Sequence, residues 1–107
     1  DYIHVMDLAE AHLLACEELY KNQTSETYNI GNNQGFSVSE IIKSAEEITK
    51  KKINIEIADR RKGDPGQLVA DNKRIKEKLN WTAKYSDLTT IISSAWQWEK
   101  KLINSNN

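Results

Sequence analysis

Between Ser37 and Ile57 the apolar side chains switch from helical to alternating spacing, so any fold of this chain must hold both periods. Ser37-Val38-Ser39-Glu40 reads as a capping box. The serine hydroxyl can accept from a free amide of the first turn, and the glutamate can reach back to the serine N–H. Val38, Ile41, Ile42, Ala45 and Ile48 then form one apolar stripe, and Lys50, Lys51 and Lys52 fall where the helix dipole favours cations. Directly afterwards Ile53, Ile55 and Ile57 alternate with polar residues, the pattern of a half-buried strand.

The same reading extends outward. Tyr2–Val5 is strand-like, Asp7 is placed to cap a helix, and Leu8, Ala11, Ala15 and Leu19 recur at helical spacing through about Lys21. Thr27–Ile30 reads as a short strand running into the turn Gly31-Asn32-Asn33-Gln34-Gly35. Asp71 can cap a short helix with Ile75 and Leu79 on one face. Ser86 or Asp87 starts a last helix that turns Leu88, Ile91, Ile92, Ala95 and Trp96 or Trp98 inward, before a polar tail, Asn104–Asn107, expected to fray. The expected fold is therefore α/β, with about three short strands and four helices. Three short strands make a meagre sheet with open edges. Together with a beginning at Asp1 rather than Met, this predicts a piece of a longer protein whose sheet the strands join.

Composition excludes several classes. The 107 residues have a mean hydropathy of −0.70 and hold no apolar run near the roughly 20 residues of a membrane span. No secretory leader is visible. One cysteine and two histidines supply neither an internal disulfide nor a zinc cage. A mixed globular, cytoplasmic chain is expected. Its net charge of −1 gives no case for nucleic-acid binding. The charge is uneven, −7 over residues 1–49 and +6 over 50–107, and a basic half can attract a small anion as well as a polyanion.

The segment Arg60-Arg61-Lys62-Gly63-Asp64-Pro65-Gly66 is the strongest candidate for chemistry. A guanidinium grips diphosphate oxygens in paired charge-assisted bonds, and a nearby carboxylate accepts from a sugar hydroxyl. The same residues also read as a solvated basic turn. Amides at the Gly31–Gly35 turn could favour an anion or ribose oxygens, or simply join two elements. His12 reads as an interior, hydrogen-bonded histidine, Cys16 as inert, and the three tryptophans as packing residues. No G-x-G-x-x-G, no tyrosine with a lysine four residues on, no G-x-S-x-G and no Walker loop occurs.

Several phrases resemble the UDP-glucose 4-epimerases. They are Asp1-Tyr2-Ile3-His4-Val5-Met6-Asp7-Leu8-Ala9-Glu10-Ala11-His12, Tyr28-Asn29-Ile30-Gly31 followed by Phe36–Ile41, Arg60–Pro65 with Leu68, Ala70 and Asp71, Leu79-Asn80-Trp81, and Ala95–Trp98. The resemblance covers nearly the whole chain, with an asparagine, Asn80, where the family usually has glycine. It implies membership of the extended short-chain dehydrogenase/reductases, with residues 1–107 matching only the C-terminal UDP-sugar-binding portion. It further implies that Arg61 binds the UDP diphosphate and Asp64 a ribose hydroxyl, that Tyr2 and Val38 lie near the nucleotide, and that Leu68 lines the hexose pocket. NAD and the catalytic tyrosine–lysine pair would belong to an N-terminal Rossmann domain outside these residues. The implied parent enzyme is a homodimer that removes and returns a hydride at C4 of UDP-glucose or UDP-galactose. These residues alone would be inactive and prone to self-associate. The alternatives are a decarboxylase or dehydratase of the same superfamily, or a non-catalytic binding module.

Overall fold

Four helices carry the regular structure of residues 1–105, which are the residues that the computed structural model describes. They are α1 (Val5–Asn22), α2 (Val38–Thr49), α3 (Lys73–Leu79) and α4 (Leu88–Ser105). The four expected helices are present, but no strand occurs among the described residues, and the expected α/β class with about three short strands is corrected to an all-helical arrangement. The reason is physical: a strand exists only through a ladder to a neighbour. Tyr2–Val5, Thr27–Ile30 and Ile53–Ile57 do not pair with one another. Ile57 is 95% exposed, and the expected half-buried alternation is absent.

The helix ends follow local chemistry, with two corrections. Asp7 is not the cap of α1. His4 is, its Nδ1 accepting from the Met6 N–H at 3.0 Å. His4 Nε2 meets Ser94 Oγ at 2.9 Å, and that hydroxyl bonds onward to the Ile91 carbonyl at 3.0 Å. With Nδ1 accepting and the serine proton committed, Nε2 is the ring nitrogen that donates. The capping box of α2 forms as read, Ser37 accepting from the Glu40 N–H while the Glu40 carboxylate accepts from Ser37. Asn72, not Asp71, is the N-cap of α3, and it caps without a side-chain bond; Asp71 Oδ1 accepts from the Lys73 N–H at 2.9 Å just ahead of it, and Asn80 ends the helix in the left-handed region at φ 53°. Asp87 starts α4 by accepting from the Thr90 N–H. Helix α4 continues through Ser105, and the remainder of the tail expected to fray lies outside the described residues.

Two packings hold the helices. Helix α2 lies on α4, where Trp96 is half-buried between Lys51 and Lys100 at 5.2 and 5.9 Å from its ring, while Trp98 and Ala95 face solvent. Helix α1 lies on α3 around Ala11, Ile75 and Trp81, with Ile3, Leu14, Tyr28, Ile30, Leu79 and Ala83 against them. The Trp81 Nε1–H donates to the Asp7 carbonyl at 2.9 Å. Glu26 bridges Arg74 and Lys78, seating the loop before Tyr28 on α3. His12, expected inside, is exposed and bonds its own helix at the Leu8 carbonyl.

The molecule is wide and thin. Its radius of gyration is 17.1 Å and its extents are 50 × 40 × 21 Å, whereas a compact chain of this length has a radius near 13 Å. It exposes 8717 Å², against about 6100 Å² for a compact protein of this mass. Among the described residues, no helix is long and apolar enough to cross a membrane.

Candidate functional site

Three chain segments meet at one groove of about 730 Å³. It is lined by Asp1 and Tyr2, by Gly35–Val38 and by Pro65–Val69, and the last two segments are called its walls below. This volume is within the range of small-molecule sites. Tyr2, Val38 and Leu68, separated widely in sequence, all line it. Leu68 is 73% exposed and Val38 67%, so both present apolar surface to whatever enters.

Arg61 and Asp64 stand beside this groove rather than in its lining, on the turn that leads into Pro65. The Asp64 N–H donates to the Arg61 carbonyl at 3.3 Å, and Gly63 occupies the turn position that needs positive φ, at +92°. The two side chains pair: Arg61 Nε donates to Asp64 Oδ2 at 2.9 Å. At 87% and 44% exposure this pair contributes little to stability. Its geometry matters more. Among the described residues only Nε of Arg61 is engaged, which leaves both of its terminal nitrogens able to donate and Asp64 Oδ1 able to accept. One turn thus offers a fork for an anion and an acceptor for a hydroxyl, with Arg60 and Lys62 adding positive charge alongside.

The amides that open α2, the second candidate in the sequence, are already served. The Glu40 carboxylate accepts from the Ser37 N–H at 2.7 Å and the Ser37 hydroxyl at 2.8 Å, and these bonds hold it below its ordinary range. A negative charge therefore already occupies this helix start, and the arginine turn is the stronger anion site.

Sequence reasoning missed Asp1. Its Oδ1 accepts from the Asn32 N–H at 3.0 Å and its Oδ2 from the Ala70 N–H at 2.9 Å, while its main-chain nitrogen donates to the Leu68 carbonyl at 2.8 Å. No local signal could have revealed this, since the partners lie 31 to 69 residues away. Gln67, whose amide approaches Gly35, was missed for the same reason.

These residues do not fit NAD. A dinucleotide site needs a strand feeding a glycine fingerprint into a helix. Here the turn into α2 has glycines only at 31 and 35, and no strand precedes it among the described residues.

Comparison with known proteins gives a consistent picture. The family described as GDP-mannose 4,6 dehydratase matches residues 1–93. A UDP-glucose 4-epimerase of Halalkalibacterium halodurans is 48% identical over 101 residues, covering 94% of this chain and 30% of that protein. One from Azospirillum brasilense is 45% identical, covering 98% of this chain and 30% of its own length. A crystal structure of a UDP-glucose 4-epimerase superposes with a TM-score of 0.90 at 47% identity, covering 97% of this chain and 32% of that one. Another, from Stenotrophomonas maltophila with bound NAD and formylated UDP-arabinopyranose, gives 0.89 at 37% identity, covering 98% of this chain and 31% of that one. The chain thus spans about a third of the length of these relatives.

Proposed function

The chain belongs to the family described as GDP-mannose 4,6 dehydratase and is similar over nearly all its length to the C-terminal portion of UDP-glucose 4-epimerases, and from this premise we propose that residues 1–107 bind the UDP-sugar of such an epimerase. The observation that carries the reading is an open groove whose lining starts at Pro65, the residue that follows the cationic turn. The free terminal nitrogens of Arg61 take the diphosphate, and Asp64 accepts from a ribose hydroxyl. Tyr2 and Val38 contact the nucleoside. Leu68 lies toward the hexose and, by its bulk, influences which sugars enter.

The whole protein would be an isomerase that interconverts UDP-glucose and UDP-galactose. NAD supplies the hydride chemistry at C4 in that reading and is held by sequence other than these residues. That the similar proteins are UDP-glucose 4-epimerases is what favours the epimerase over a dehydratase or decarboxylase of the same family.

Arg61→Ala tests the assignment. In the whole protein it should weaken UDP binding, followed by titration calorimetry, by about 1.5–3 kcal/mol, the worth of hydrogen bonds to a charged group. Because the pair with Asp64 is exposed, the unfolding midpoint should hardly move. Unchanged affinity would mean that the turn faces solvent in the working protein.

A further inference from the structure

Nothing in the nucleotide-sugar reading calls on the carboxylate of Asp1, yet it touches both sides of the groove. It receives the Asn32 amide, on the chain that becomes the Gly35–Val38 wall, and the Ala70 amide, at the end of the Pro65–Val69 wall. The Asp1 nitrogen adds a third tie, to the Leu68 carbonyl. Its chain neighbour Tyr2 also lines the groove. One side chain thus fastens the two walls together.

The surroundings are built to let it do so. Gly31 is buried, and a Cβ there would collide with the Asp1 carboxylate and with the Ala70 methyl. Only the absence of a side chain lets the three segments converge. The Gly31 carbonyl is in turn held by Asn72 Nδ2 at 2.9 Å, and the Asn32 amide group donates to the Ser86 carbonyl, so the turn that Asp1 grips is anchored from behind to the starts of α3 and α4. Among the described residues no strand joins these segments. The three bonds of Asp1 tie them together, and a site loosened by a fraction of an ångström loses affinity.

We infer that Asp1 is a positioning residue for the groove: its carboxylate sets the separation of the two walls and so governs how tightly a nucleotide sugar is held, without touching the ligand. The inference rests on the groove being the UDP-sugar site. Asparagine in its place would turn an NH2 group toward one of the two amides and open that tie.

The experiment measures UDP-glucose affinity of the whole protein by calorimetry, alongside hydrogen exchange at the Asn32 and Ala70 amides, for wild type, Asp1→Asn and Gly31→Ala. The second variant displaces the carboxylate while leaving its charge intact, which keeps the test alive if the first folds poorly. Circular dichroism selects a temperature at which all three hold the same helix content. The expected result is roughly tenfold weaker binding in both variants, with faster exchange at both amides and no loss of helix. Wild-type affinity in folded variants would overturn the positioning role and leave the site assignment standing. Absence of UDP-glucose binding in the wild type itself would overturn the site assignment, and the positioning role with it.

Discussion

Asp7→Ala should destabilise the protein by about 3–5 kcal/mol, because removing its carboxylate leaves three donors unpaired, each costing about 1–3 kcal/mol where it is buried. Asp7 is fully buried, and its carboxylate accepts from the Lys84 N–H at 2.8 Å, the Tyr85 N–H at 2.9 Å and the Ser86 hydroxyl at 2.6 Å. Alanine leaves all three donors without a partner in the interior. The Ser86 Oγ also accepts from the His4 N–H at 3.0 Å, so the loss spreads to the cap of α1. Urea unfolding at neutral pH measures the effect, and a cost below about 1 kcal/mol would show that water replaces the carboxylate.

The same carboxylate predicts an acid response. Burial pushes the Asp7 pKa up, but the bonds from Ser86, Lys84 and Tyr85 together outweigh it, leaving the pKa below the ordinary value of 3.8. A lowered folded-state pKa gives stability that is present above the ordinary value and lost as pH falls through the folded value. Glu40 and Asp87, held low by Ser37 and Thr90, act with the same sign. Wild type should therefore lose stability steeply below the Asp7 reference value of 3.8. Asp7→Ala should show a shallower loss over the same window, and the difference between the two urea series isolates this one group. Parallel curves would contradict the assignment.

Trp81→Ala should cost a similar amount, about 3–5 kcal/mol for a large aromatic side chain removed from a packed interior. Trp81 is 1% exposed and is the largest member of the small core with Ala11 and Ile75. It also closes the indole bond to the Asp7 carbonyl, so it clamps the first turn of α1 onto the segment after α3. Trp81→Phe retains most of the ring but drops that bond, and should cost about 1–2 kcal/mol beyond any gap it leaves. Thermal and urea unfolding of the two variants separate packing from the bond. Equal midpoints for alanine and wild type would mean that α1 and α3 are held by other contacts.

Helix ends were legible because their chemistry is local. Ser37 and Glu40 are three residues apart, Asn80 sits where a left-handed stop is needed, and Asp87 accepts from an amide three residues on. The strands were misread for the complementary reason. Ile53, Ile55 and Ile57 carry the right period, but a period cannot supply the neighbouring chain that a ladder needs. Asp7 was read as a cap because it opens an apolar helical stretch. Its real partners at 84–86 lie at the far end of the sequence. At the site, the arginine turn could be read directly, since glycine and aspartate follow Arg61 at turn spacing. That Tyr2, Val38 and Leu68 share a groove could not be read from spacing. The clamp at Asp1 was invisible, for it depends on backbone amides that every residue possesses.

A body only 21 Å deep has the thickness of about two helices, so its interior is a single layer. Unfolding then wets little hydrocarbon that was dry before, and the heat-capacity step scales with that newly wetted area. Residues 1–105 taken by themselves should accordingly show a shallow calorimetric signature, with a broad, flat stability curve that moves less with temperature than their number would suggest.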